Sequence, residues 1–404
     1  MKPASDEKDS RSRCLALLGF LLIAFTSGAK AETLEAGWTS RLGGPVTTLS
    51  LTEQGIILAG SSHSYDLTAF NSAVGQPLWV RRIGAPPQTD PAIAGRSFLL
   101  KPSTPTLVAL RVDTGDLLWS HGPSSPELEG PLRPAFDSEA IYAVNERGWF
   151  HRLSLDGKLL SSFRLPLNWD DRFLSASVLN GTFLYVASER GELWKVATKN
   201  PRHYERYRLR ELALRQVGEP RSINFPSRHN LITPPRQAGG QLAVMTLGGE
   251  LYALSLNPPL GSQGWRLQVA DTQSLYSPGG LTLCQPVMSE NLLLVATRHQ
   301  VLCLDPRTAA LRWVRHFDSV ASPVALTPNL EGVAVVADQS LHLLDSQSGR
   351  ELADLPLAAT PTAGPVAANN LVVLGTSAGE VMTFKIVRPT RKETPPTSSS
   401  PRKS

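Results

Sequence analysis

The chain has 404 residues, of which 41% are hydrophobic and 19% charged, with 32 Pro, 31 Gly and a formal net charge of +5. That length admits two or three ordinary domains or one large all-β ring. The many turn formers and the lack of sustained, capped helical periodicity argue against an α/β fold. The positive charge lies at the two ends and leaves about −1 for residues 32–386, so it is no sign of a nucleic-acid-binding domain.

The chain opens with a basic flank containing Arg11 and Arg13, followed by the apolar run CLALLGFLLIAF at 14–25 and then Ala29-Lys30-Ala31. This order predicts an export signal over 1–31, cleaved after Ala31. The run is shorter than the roughly 20 residues of a spanning helix, so no transmembrane segment is expected after cleavage. Cys14 stands at the wrong end of the run for a lipobox, and the sequence does not predict a lipoprotein. The expected location is the periplasm or beyond.

From 32 to 386 two markers alternate. One is a Pro that opens an apolar strand, where its missing N–H is tolerated. It occurs at Pro45, Pro91, Pro134, Pro234, Pro286, Pro323 and Pro365, with Ser175-Ala176-Ser177-Val178 filling an eighth place without Pro. The other is a strand, a Gly turn and a second strand, clearest at 107–119 (LVALRVDTGDLLW). The two together give eight units of about four strands and about 40 residues, the period of a propeller blade. The last unit ends after a third strand at Phe384, and the segment from Gly37 to Leu42 resembles a fourth strand lacking its first three. The predicted fold is all-β: an eight-bladed β-propeller of four-stranded antiparallel blades, closed by the N-terminal strand.

The L-x-A-L-x-x-x-T-G-x-x-L-W pattern at 107–119 resembles the PQQ-like, or quinoprotein-type, propeller repeat. Eight such units behind an export signal are similar to the BamB family of outer-membrane assembly factors. That resemblance implies a protein-binding scaffold in the cell envelope. The enzymes that share the repeat imply a quinone cofactor and Ca²⁺ near the ring axis.

The chemistry of those enzymes has few counterparts here. There is no Cys-Cys pair and no C-x-x-C-H, and the eight His show no metal-ligand spacing. Asp90 and Arg133, beside strand-opening prolines, are placed near the channel mouth and read as solvated loop residues. No catalytic, cofactor or metal residue is assigned, and no enzyme activity is expected. The repeated tryptophans at 38, 79, 119, 265 and 313 are assigned to packing between blades, with Trp119→Ala expected to cost about 3–5 kcal/mol. Cys284 and Cys303 are expected to be buried free thiols.

Residues 199–229 depart from the repeat, with eight Lys/Arg against three Glu interleaved with Tyr204, Tyr207 and Phe225. Arg206, Arg208 and Arg210 alternate like one strand face, with Leu209, Leu212 and Leu214 as anchors. The bland reading is a solvated outer strand and loop. The sharper one is a partner-docking surface built from Tyr204, Arg206, Tyr207, Arg208 and Arg210.

After Val387 the chain holds only Pro, Ser, Thr and charged residues. It cannot offset the entropy of ordering, so 387–404 is expected to be a disordered basic tail. The functional expectation is a monomeric, non-catalytic exported propeller that binds a protein partner in the envelope and no nucleic acid. The rivals are a quinone-dependent dehydrogenase or a small-ligand binder at the axis, and a surface scaffold using the basic tail.

Overall fold

The computed structural model describes residues 33–87, 89–102, 104–122, 133–174, 176–218, 230–257, 260, 263–269, 285–327 and 331–387. The expected signal at 1–31 and the tail after Val387 lie outside them, as do Ser175, Phe225 and Cys284.

Eight separate sheets follow one another along the chain, as the repeat predicted. Blade 1 is typical: Val46–Leu51, Ile56–Ser61, Asp66–Asn71 and Pro77–Arg82 pair antiparallel in sequence order. Blade 2 is Ala92–Ala94, Ser97–Leu100, Leu107–Arg111 and Leu117–His121. Blades 3 and 4 open at Ala135–Phe136 and Val178–Asn180, and blades 5 to 8 at Arg236–Ala238, Val287–Met288, Ala325–Leu326 and Pro361–Ala368.

The second and third strands are apolar on both faces because each blade is covered by a neighbour on either side. Ile141–Val144 is buried at every position, and so is Leu293–Thr297. Most fourth strands lie at the rim and alternate between exposed and less exposed residues, as Pro77–Arg82 does. The core is therefore eight clusters, one in each gap between blades. Leu58, Leu67 and Ala69 of blade 1 meet Phe98, Leu100 and Leu110 of blade 2, and the series continues round to blades 8 and 1, where Val373 and Val381 meet Val46, Ile57 and Phe70.

That last contact closes a ring, and the N-terminal strand completes it. Thr33–Arg41 pairs antiparallel with Glu380–Val387, with a bulge between Ala36 and Thr39. Arg41 forms an ion pair with Glu380 at 2.8 Å across this seam, and Thr383 Oγ1 donates to the Trp38 carbonyl at 3.0 Å.

Two local features go beyond the repeat. Pro365 falls inside the first strand of blade 8, where register shifts on both sides of Ala363 accommodate it. Blade 5 carries a fifth strand, Arg215–Val217, added in parallel to the rim strand Gly264–Gln268.

The tryptophans join blades by a repeated contact. Trp79 of blade 1 donates its Nε1 proton to the Val112 carbonyl of blade 2 at 3.0 Å. Its ring lies on Gly115, where a Cβ would come within 2.5 Å. Trp38, Trp119, Trp265 and Trp313 each donate to a turn of the following blade at 2.8–3.0 Å. Thr114-Gly115 and Trp119 of the same motif thus serve different neighbours, one behind and one ahead. Cys303 is a buried free thiol facing the gap between blades 6 and 7, and burial pushes its pKa up to about 12.

Candidate functional site

The sequence-selected residues Tyr204, Arg206, Tyr207 and Arg208 form the rim strand of blade 4, Tyr204–Arg208. Its register sets Arg206 opposite Trp194 and Arg208 opposite Glu192. Arg210 does not continue the strand but sits in a 3-10 turn, Leu209–Glu211, whose buried Leu209 anchors it between blades 4 and 5. The alternation read from the sequence therefore holds for Arg206 and Arg208 and stops at Arg210.

Most of these side chains have partners within the chain. Glu192 is nearly buried, and its Oε1 accepts from Arg208 Nε at 3.3 Å and lies 3.8 Å from Arg206 Nε. Arg206 also stacks over the Trp194 ring at 5.5 Å, and Tyr204 packs on that ring at 5.4 Å. Tyr207 donates to Glu205, and burial followed by this carboxylate holds the phenol well above its ordinary pKa. Lys195 and then Tyr207 hold the Glu205 carboxyl below the usual range. Arg210 is the most exposed of the three arginines, with 61% of its side chain accessible and Glu211 at 3.9 Å.

A more conspicuous residue lies outside the sequence-selected set. Trp169 is 96% exposed in the loop between blades 3 and 4. The loop is fixed from below by Asp171, which is 5% exposed. Asp171 Oδ1 accepts the backbone N–H groups of Arg172 at 2.8 Å and Arg190 at 3.1 Å. Asp170 pairs with Arg190 at 2.7 Å. A cavity of about 310 Å³ opens at the loop, walled by Arg147, Arg164, Leu167 and Arg172.

The hairpin turn of blade 4 connects the two regions. Glu189 N–H donates to the Arg172 carbonyl at 2.8 Å, and Leu209 N–H donates to the Gly191 carbonyl at 3.1 Å. Trp169 and Arg210 thus flank one turn on one end of blade 4. Sequence reasoning passed over Trp169 because its Asn-Trp-Asp setting lies outside the repeat position shared by Trp38, Trp79, Trp119, Trp265 and Trp313. That difference was the available signal.

At the ring axis, Asp90 and Arg133 line a common cavity, as their place beside the strand-opening prolines suggested. Asp90 is open to this cavity yet surrounded by protein, which raises its pKa against the lowering effects of the Leu49 N–H and the Arg133 and Arg236 charges. The reading of both as merely solvated loop residues is incomplete in that respect. Among the described residues no group of three or more His, Cys, Asp or Glu could hold a metal ion. An axis bearing two arginines and one carboxylate does not fit the Ca²⁺ that accompanies a quinone cofactor, and no catalytic step is derived through that pair.

Compared with known families, residues 27–207 and 247–388 match the model described as outer membrane protein assembly factor BamB. The chain belongs to this family. The unmatched stretch, 208–246, holds Arg208, Arg210 and the added strand of blade 5, whereas Trp169 and Arg206 lie inside the match. No curated protein matches in sequence.

Solved structures show likeness of fold. The computationally designed Ika8 protein aligns with 86% of this chain and 98% of its own at 13% identity and a TM-score of 0.62. The quinohemoprotein alcohol dehydrogenase from Comamonas testosteroni aligns with 89% of this chain and 77% of its own at 11% identity and a TM-score of 0.63. BamB from Moraxella catarrhalis aligns with 87% of this chain and 99% of its own at 14% identity and a TM-score of 0.42.

Proposed function

We propose that the protein is a non-catalytic, exported propeller that binds another protein during outer-membrane protein assembly. The observation that carries this reading is the family match, which spans seven of the eight blades and the closing strand. The predicted export signal supports a periplasmic location, and among the described residues no helix is long and apolar enough to cross a membrane.

The docking surface we assign is the end of blade 4 and the loop before it, with Trp169 as anchor and Arg210, Arg206, Arg208, Tyr204 and Tyr207 alongside. An exposed Trp on a loop fixed by a buried carboxylate, ringed by arginines, has the composition of an interface hot spot. Reversing Arg206 and Arg208 to Glu would set new carboxylates against the nearly buried Glu192 and destabilise the blade, so that change does not isolate binding. Trp169→Ala and Arg210→Glu do, because both residues extend away from the core.

In cells lacking the protein, the level of folded, heat-modifiable outer-membrane β-barrels should fall. Trp169→Ala should reproduce much of that loss while its melting temperature stays that of the parent. Normal β-barrel levels without the protein would remove the assembly reading, and full function of the Trp169→Ala, Arg210→Glu double variant would remove the surface. Purified protein given quinone and Ca²⁺ should show no dye reduction. Turnover there would favour a dehydrogenase.

A further inference from the structure

The cavity beside Trp169, about 310 Å³, is walled by three arginines that come from three different segments. Arg147 lies on the hairpin turn of blade 3, Arg164 ends the rim strand Leu159–Arg164, and Arg172 follows Trp169 in the loop. All three side chains are exposed. Among the described residues, Arg164 and Arg172 make no ion pair and no side-chain hydrogen bond, and Arg164 lies over the Trp149 ring at 6.0 Å.

The carboxylates of the region do not cancel this charge. Glu146 and Asp171 line the cavity, two against three guanidinium groups. Asp171 Oδ1 is taken by two backbone N–H groups and its Oδ2 is closed to solvent, so neither oxygen is offered to an occupant. Asp170 is paired with Arg190. The walls are also set before any partner arrives. Asp171 N–H donates to the Asn168 carbonyl at 3.1 Å, closing a turn with Trp169 and Asp170 at its tip. Phe173 N–H donates to the Glu146 carbonyl at 2.9 Å and ties the loop to the hairpin turn.

Resting on the docking surface assigned above, we infer that this cavity receives an acidic side chain, Glu or Asp, from an exposed segment of the protein partner, next to an apolar residue that covers Trp169. A carboxylate matches the paired N–H donors of a guanidinium group, whereas a Lys or Arg of the partner meets the surplus positive charge. Trp169 supplies most of the affinity, as a large aromatic anchor does. The arginines supply the choice of partner, because exposed ion pairs contribute little energy while like charges forced together in an interface are costly.

The test uses the purified full chain and three capped peptides that share one Phe and differ only in the residue beside it: Glu, Gln or Lys. Binding is followed by fluorescence anisotropy at low salt. The Glu peptide should bind about tenfold or more tightly than the Gln peptide, the scale of one charged hydrogen bond, and the Lys peptide should bind least. Added salt should narrow these differences. The Arg164→Gln, Arg172→Gln double variant should lose the preference for Glu yet melt with the parent, since both residues are exposed. Trp169→Ala should weaken the Glu and Gln peptides alike. The inference is overturned if the Glu peptide binds no more tightly than the Gln peptide, or if the double variant keeps the preference. Binding to phosphatidylglycerol vesicles that the double variant loses, with no preference among peptides, would overturn it in favour of a lipid headgroup. Dimerisation that the double variant loses, again with no preference, would overturn it in favour of a second copy. Normal β-barrel levels in cells lacking the protein would remove the assembly role but leave the Glu preference standing. Absence of that preference in a protein that supports β-barrel assembly would remove this inference alone.

Discussion

Trp265 and Trp119 occupy the same place in the repeat, and both donate an indole proton to the next blade. Their surroundings differ. Trp265 is 1% exposed between blades 5 and 6, whereas Trp119 is half-buried because the rim is open beside it. Trp265→Ala should therefore cost the full core-truncation penalty of about 3–5 kcal/mol. Trp119→Ala should cost less, about 2 kcal/mol, since only part of its area leaves water. This revises the larger value expected for Trp119 from the repeat alone. Denaturant melts of the two variants check the order, and equal losses would show that exposure at the rim does not govern this contact. The sequence marked both residues as packing groups because their position recurs. The degree of burial was not legible, since it depends on what the following blade places over each ring.

At the scale of elements, blades 4 and 5 protect their rim strands in different ways. A rim strand presents unpaired backbone groups that invite pairing with another chain. Blade 4 places Tyr204, Glu205, Arg206, Tyr207 and Arg208 there, with charge directed at Glu192 and Lys195. Blade 5 is covered by Arg215–Val217, which reaches onward as Arg215 donates to the Thr308 carbonyl of blade 6. The basic, aromatic-rich composition at 199–229 signalled a departure from the repeat. It did not reveal that the first part is an ordinary rim strand and a later part an added one. A parallel addition is set by long-range pairing, which no local pattern encodes. Gln216→Pro should release the added strand and raise amide exchange across Gly264–Gln268, while global stability falls by only about 1 kcal/mol, the scale of one or two rim hydrogen bonds. Unchanged exchange there would mean the added strand contributes no protection.

For the whole molecule, closure is the decisive contact. Leu34 packs with Phe384 and Ile386 against blade 7, and Trp38 reaches blade 1. Removing residues 33–41 should thus open both gaps flanking blade 8 and cost about 5 kcal/mol or more, from the apolar area uncovered. A peptide spanning 33–41, added in trans, should restore the melting temperature in a concentration-dependent way. Failure of the peptide to rescue, with the truncated protein melting like the parent, would show that the ring is held shut without this strand.

The sequence by itself determined the blade count, the antiparallel order within each blade, the closing strand and the packing role of the tryptophans. These depend on alternation, turn residues and strand-opening prolines, all written within about 40 residues and repeated. Only the tertiary structure decided which side chains meet between neighbouring strands and across blades. It brought Glu192 to the arginines of blade 4, fixed Trp169 on an exposed loop through Asp171, and gathered Asp90, Arg133 and Arg236 at the axis. Asp90, Arg133 and Arg236 are far apart in sequence, although Asp90 and Arg133 each stand before a strand-opening proline. Their proximity comes from the curvature of the ring, which follows from the packing of all eight blades together.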